Sequence, residues 1–177
     1  MAQLSKLLID DHAALETVLK QLQTALQRRD VETAYAKLDL FWARLAVHIR
    51  AEHLHLFPAV LDSAGIGAQT IVALLRDDHE FFMHELGRAV ETMRTLLTVS
   101  EQRIIEEGLT NIKNTLLQIE LRLVTHNQIE EDQVYRWATN ILNSEERAKL
   151  KERISMELRN RPSRFTENDW SDEQPVE

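Results

Sequence analysis

The sequence predicts an all-α fold: an up-down-up-down four-helix bundle with a short fifth helix and a mobile C-terminal tail. Two observations predict it. Apolar residues recur at intervals of three and four almost throughout, the period of helices with one buried face. Breakers are scarce: 4 Gly and 3 Pro in 177 residues cannot supply the turns of an all-β sandwich or barrel.

Leu4, Leu8, Leu15, Leu19, Leu22 and Leu26 draw one stripe on a first helix over roughly residues 3–27. Arg28-Arg29-Asp30 ends it, and Asp30 is placed to N-cap the next helix. The second helix carries Leu38, Phe41, Leu45, Ile49, Leu56 and Val60, and the run 62–67, with two of the four glycines, closes it. A third follows with Leu75, Phe82, Leu86, Val90, Met93 and Leu97. Ser100 is the expected N-cap of a long fourth helix bearing Ile105, Leu109, Ile112, Leu116, Ile119, Leu123, Val134 and Ile141. Asn143-Ser144 starts a shorter helix with Leu150, Ile154 and Leu158. The expected organisation is a bundle over residues 1–142, an additional helix over 143–161 and an acidic, mobile tail over 162–177, with Trp170 the one residue of the tail that argues for a contact. The last helix and tail pack outside the bundle or serve a homo-oligomer or protein partner.

Composition narrows the function classes. Apolar residues make up 44% and charged residues 28%, a globular balance rather than a disordered one. The net charge of −8 and the lack of a basic stripe argue against nucleic acid. No apolar run approaches the roughly 20 residues of a membrane span. The opening Met1-Ala2-Gln3-Leu4-Ser5-Lys6 does not read as a signal peptide. The absence of Cys excludes disulfides, thiolate metal sites, iron–sulfur clusters and a Cys nucleophile, and fits a cytoplasmic protein.

The histidines carry the functional signal. Asp10-Asp11-His12 lies in helix 1 and Asp77-Asp78-His79 in helix 3; His48-x-x-x-Glu52 lies in helix 2 and His126-x-x-x-Glu130 in helix 4. The second half has about 11 more residues between its two elements, most simply in the first part of helix 4. Residues i and i+4 share a helix face, so each His-Glu pair points at one spot. Their offsets from Leu45, Ile49, Leu123 and Val134 place all four on the apolar stripes; His12 and His79 lie on theirs through Leu8, Leu15, Leu75 and Phe82. Four imidazoles and two carboxylates thus aim into an aliphatic interior. A bare buried carboxylate must neutralise, pair or bind metal. Two divalent cations answer this, each carboxylate bridging both ions and each ion taking two nitrogens. The mixed N/O set suits Fe or Mn, with Zn also compatible.

A lone core histidine is most often a hydrogen-bonded polar residue; the doubled constellation reverses that reading. Asp11 and Asp78 are either outer acceptors for the imidazoles or surface charges. His53, about 100° round the helix from Glu52, is expected sideways or out, and His84, about 140° from His79, at the surface. His55 is read as an outer group of the site or a core-end residue, and Glu16 as an edge carboxylate. Trp42, Tyr35, Phe57, Tyr135 and Trp137 read as core and helix-end packing.

These residues resemble the bacterial hemerythrin-like, or HHE cation-binding, domain, over roughly residues 5–140. The resemblance implies a non-haem di-iron centre in a four-helix bundle. Glu52 and Glu130 would bridge, His12 and His48 would bind one iron, His79 and His126 the other, and an oxo or hydroxo bridge would complete the pair. The chain departs from the oxygen carriers of the family: Met83 stands where they have a second helix-3 histidine, and Glu130 lies four after His126 where they have an Asp five after. A thioether is a poor ligand for a hard ferric ion, which weakens the case for reversible oxygen carriage. The ferritin-like plan needs Glu-x-x-His on two helices and fails at Gln133. The implied function is a di-iron protein that binds, senses or reacts with oxygen, peroxide or nitric oxide, which leaves an oxidoreductase activity open. The alternative is an iron- or redox-responsive interaction protein without turnover.

Overall fold

Residues 3–62 and 65–170 are described by a computed structural model, and among them there are helices and no strands. The first helix, α1 (Gln3–Gln27), ends in a left-handed residue, Arg29 at φ 57°. The Asp30 amide turns back to the Ala25 carbonyl at 3.0 Å, which closes the helix end. Asp30 then accepts from the Thr33 amide at 3.0 Å and starts α2 (Val31–Ala51), as its sequence position predicts.

At Ala51 the chain does not leave the helix. It passes through a π-turn, Glu52–Leu56, into α3 (Phe57–Leu61). The next helix, α4 (Gly65–Leu96), opens at Gly65 with φ 74°, so Gly65 and Gly67 begin the third bundle arm rather than close the second. The fourth arm, α5 (Gln102–Ile129), has its N-cap position at Glu101, which makes no side-chain cap; the expected cap at Ser100 falls one residue short. A second π-turn, Glu130–Val134, leads into α6 (Tyr135–Ile141). Asn143 caps α7 (Ser144–Leu158) in a reciprocal capping box with Glu146. A last turn, α8 (Glu167–Trp170), follows.

α1 packs on α2, α2 on α4 and α4 on α5, with α1 and α5 in the loosest of the four seams. The extra length of the second half lies mainly in α5, 28 residues against 21 in α2. Two apolar clusters fill the interior. One joins Leu15, Leu22, Phe41, Phe82, Leu86, Met93 and Ile119. The other joins Leu4, Leu8, Leu56, Phe57, Val60, Leu75 and Val134 with Leu150 and Ile154 of α7, so the fifth helix is docked on the bundle. The polar residues predicted for the site fall between these clusters.

The segment expected as tail is described as far as Trp170. Arg164 grips Asp39 of α2 with two hydrogen bonds of 2.9 Å, and the Trp170 indole donates to the Leu158 carbonyl at 3.0 Å. Residues 171–177 of the expected mobile tail lie outside the described residues. No helix among the described residues is long and apolar enough to cross a membrane.

Candidate metal centre

The structure brings all six predicted residues together, and all are buried: His12 on α1, His48 on α2, His79 on α4, His126 on α5, and Glu52 and Glu130 at the first positions of the two π-turns. Both carboxylates have 0% exposure.

The imidazoles meet in two pairs through their inner nitrogens. His12 Nε2 and His48 Nε2 are 3.2 Å apart, and His79 Nε2 and His126 Nε2 are 3.0 Å apart. Each carboxylate reaches across both pairs. Glu52 Oε1 is 3.5 Å from His48 Nε2 and its Oε2 is 3.5 Å from His79 Nε2. Glu130 Oε2 is 3.3 Å from His12 Nε2, while its Oε1 is 2.9 Å from His126 Nε2 and 3.6 Å from His79 Nε2. Glu52 Oε2 and Glu130 Oε1 are buried without a hydrogen bond. Donors about 3.0 Å apart are what adjacent corners of an octahedron with bonds of about 2.1 Å require. The orphaned oxygens and facing nitrogens therefore fit cations better than they fit one another. Two triads, His12–His48–Glu130 and His79–His126–Glu130, are close enough to hold an ion each.

The outer nitrogens settle the role of Asp11 and Asp78. His48 Nδ1 donates to Asp11 Oδ2 at 2.8 Å, and His126 Nδ1 to Asp78 Oδ2 at 3.0 Å. Each aspartate orients the imidazole of the neighbouring helix, not of its own. His12 Nδ1 donates to Glu131 Oε1 at 3.1 Å. His79 Nδ1 faces His53 Nε2 at 2.9 Å, so His53 turns toward the site and not sideways or out. The cause is the π-turn, which shifts every residue after Glu52 off the α-helical wheel. With the Nδ1 atoms of His12, His48 and His126 engaged by carboxylates and that of His79 by His53, all four rings turn Nε2 to the centre. Arg44 pairs with Asp11 and Arg122 with Asp78.

Adding 78 to Arg44, His48, Glu52, His53 and Phe57 gives Arg122, His126, Glu130, Glu131 and Tyr135, all in equivalent places. Sequence reasoning missed the arginines, though that offset exposes them. It also missed Tyr135, whose phenol oxygen lies 3.1 Å from His12 Nε2, 3.2 Å from Glu52 Oε1 and 3.3 Å from Glu130 Oε2. In an α-helix a residue five after Glu130 would lie about 140° away. The π-turn, in which the Tyr135 amide bonds to the Glu130 carbonyl, brings it back over the site. His84 is exposed, Glu16 is an exposed carboxylate paired with Lys20, and Met83 is half-buried against the core.

Electrostatics mark the centre as cation-seeking. Burial alone would lower the His48 pKa, but Glu52 and Asp11 outweigh it and hold it well above the usual 6.5. His12 and His126 are likewise depressed by burial yet raised on balance by the carboxylates around them. Burial would raise Glu130, but His126, His12 and His79 hold it well below the usual range. Protons thus gather where metal ions would. His53, by contrast, is pushed down to about 4 by burial and by His79 and Arg76, and stays neutral.

A cavity of about 350 Å³ leads to the centre. Leu15, Leu19, Phe41, Leu45, Leu123 and Val124 line it, His12, His48, His126 and Glu130 form its floor, and Glu16, Glu120 and Glu131 stand on it from α1 and the α5 arm.

No curated protein and no solved structure matches the chain. The hemerythrin HHE cation binding domain matches residues 3–138, the span that carries every donor atom of the centre. The chain therefore belongs to the hemerythrin HHE cation-binding family.

Proposed function

We propose that the chain is a non-haem di-iron protein that binds, senses or reacts with a small redox ligand: oxygen, peroxide or nitric oxide. One observation carries this reading: two buried imidazole pairs share two carboxylates, each directing one oxygen to each pair. His12 and His48 would hold one iron, His79 and His126 the other, with Glu52 and Glu130 between them. Mn or Zn would fit the same N/O donors. Two irons would supply one-electron and two-electron chemistry at one place. The chain's own part is positioning and exclusion. The imidazoles are fixed by Asp11, Asp78, Glu131 and His53; the aliphatic wall of the cavity admits small neutral molecules and limits water.

Metal analysis with an absorption spectrum, on protein from iron-supplied cells, tests the reading. Two irons per chain with oxo-bridge charge-transfer bands are expected; one or none defeats it. Added peroxide with oxygen release followed tests turnover, and a rate no higher than that of free iron removes oxidoreductase activity while leaving ligand binding standing.

A second reading, an iron- or redox-responsive interaction protein in the cytoplasm without turnover, is favoured by one connection. Trp170 lies under the Arg44 guanidinium at 5.7 Å, Arg44 reaches Asp11, and Asp11 holds His48. The C-terminal segment, through which a protein partner or second copy would bind, thus touches the outer frame of the centre. Protease sensitivity around residues 159–170, with and without metal, reports this: protection on loading supports it, and identical digestion removes it.

A further inference from the structure

The two halves of the centre match register for register except at two places, and one of these changes the donor set. Around His12 and His48 there are five inward atoms: the two Nε2 nitrogens, Glu52 Oε1, Glu130 Oε2 and Tyr135 Oη. Around His79 and His126 there are four: the two Nε2 nitrogens, Glu52 Oε2 and Glu130 Oε1. The Tyr135 side chain is 1% exposed, and its three oxygen contacts, 3.1–3.3 Å long, are all to atoms of the first half. Those lengths are the same as the spacing between the other donors of that half, 3.2 Å for the imidazole pair and 3.3 Å for His12 to Glu130. The phenol donates to oxygens of both glutamates and meets the His12 nitrogen as well, so its oxygen stands at a fifth corner of that half, at the spacing of a donor as well as of a hydrogen bond. The residue at the equivalent place, Phe57, stacks its ring on His79 at 5.9 Å and offers no donor.

We propose that Tyr135 is a seventh protein donor, its phenol giving up its O–H proton to solvent as the oxygen completes the cation position of His12 and His48, and that Phe57 leaves the His79–His126 position one donor short, so that an external ligand reaching it past His126 at the floor of the cavity binds there. This rests on the two-cation reading above. It makes the two positions chemically different although the helices that build them are equivalent. It also accounts for the second π-turn, without which Tyr135 would face away.

The test is the spectrum of the full chain, stripped, reloaded with ferrous iron and oxidised in air. A visible phenolate-to-ferric charge-transfer band, with tyrosine ring modes in resonance Raman, is expected in the wild type. Tyr135→Phe should lose both and still hold two irons. Phe57→Tyr should gain a second phenolate contribution. It should also weaken azide, used as the probe ligand, by about tenfold or more, whereas Tyr135→Phe should leave azide binding in place. A wild type that holds two irons without a phenolate signature, or a Tyr135→Phe spectrum identical to it, overturns the assignment of Tyr135 alone. An unchanged azide affinity in Phe57→Tyr overturns the location of the external ligand. A wild type that takes up no metal overturns the two-cation reading itself, and the metal count tells that failure apart from the other two.

Discussion

Removing and returning the metal should change the stability of the bundle in steps that the donor sets dictate. A cation that binds only the folded chain adds about 2.7 kcal/mol when its free concentration is a hundred times its Kd. Two such sites add about 5 kcal/mol, which for a domain of this size is a rise in Tm of roughly 10–20 °C. His48→Ala deletes a donor of one pair and none of the other, since its Nε2 faces only His12 and Glu52. Its metal-dependent rise should fall to about half, roughly 5–10 °C. Glu130→Gln removes charge from both pairs, because one oxygen lies 2.9 Å from His126 Nε2 and the other 3.3 Å from His12 Nε2. Its rise should be the smallest, under about 5 °C. Calorimetric melts of each variant, with a chelator and with saturating metal, measure this. Comparing each protein with its own metal-free form cancels the cost of the truncated side chain. Equal increments in wild type and His48→Ala, or none in wild type, would refute two sites with a shared carboxylate.

Stability of the metal-free chain should depend on pH with a sign opposite to that of the loaded chain. His12, His48 and His126 are raised above 6.5, so their contribution is complete below 6.5 and is lost as pH climbs through the raised values. Glu130 is held below 4.5, so its contribution is present above 4.5 and is lost only as pH falls through its lowered value. The metal-free protein is therefore most stable between these limits and softens toward alkaline pH. Loading must displace the imidazole protons, so the loaded protein softens toward acid. Melts across pH 5–8.5 should cross, on a scale set by the roughly 1.4 kcal/mol that each tenfold change in proton affinity is worth. A metal-free Tm that climbs steadily with pH would count against the cluster. Asp78→Asn, which loosens His126 and parts from Arg122, should weaken metal by roughly 10–100-fold, while Asp77→Asn on the exposed face of the same turn should leave it unchanged, as measured by competition with a chromophoric chelator. Phe82→Ala, at 0% exposure and edge-on to the His126 ring at 5.3 Å, should cost about 3–5 kcal/mol in denaturant titration.

Much of this was legible in the residues because both the bundle and the metal frame follow the 3.6-residue period. The leucine stripes of α1 and the His-x-x-x-Glu pairs need only i, i+3 and i+4 neighbours, and the structure places Leu8, Leu45, His48 and Glu52 inward together. What the period could not show begins where the period stops. After Glu52 and Glu130 the helix widens to i→i+5 bonding, with Pro58 nearby in the first case and no Pro or Gly in the second. Every projection beyond those carboxylates is then displaced. His53, expected outside, meets His79, and Tyr135, expected in packing, meets three donors of the centre. Asp11 and Asp78 stayed ambiguous for another reason: their partners lie on the adjacent helix, 37 and 48 residues away, a relation that no local pattern encodes.

The charge count of the centre and of the groups that frame it explains why such a fold would keep the site. Glu52, Glu130, Asp11, Asp78 and Glu131 bring five carboxylates, and Arg44 and Arg122 answer only two of them. Three negative charges remain around four imidazoles. Without metal the balance is made by protonating imidazoles inside an aliphatic core, where burial opposes the charge that the carboxylates demand. Two divalent cations would overbalance the excess by one, which would leave a filled centre nearly neutral and suited to hold a small anionic bridge. The aliphatic clusters on either side are thus compatible with a polar layer because that layer can close its own charge, with imidazoles and carboxylates standing in for the water that bound cations would give up. The fourth outer contact marks where the closure is weakest. Three imidazoles are backed by a carboxylate, but His79 is backed by His53, which is neutral. The same half lacks the phenol. On the assignment of Tyr135 proposed above, both asymmetries would leave the His79–His126 position poorer in negative charge, and a cation there would draw the shortfall from outside the protein.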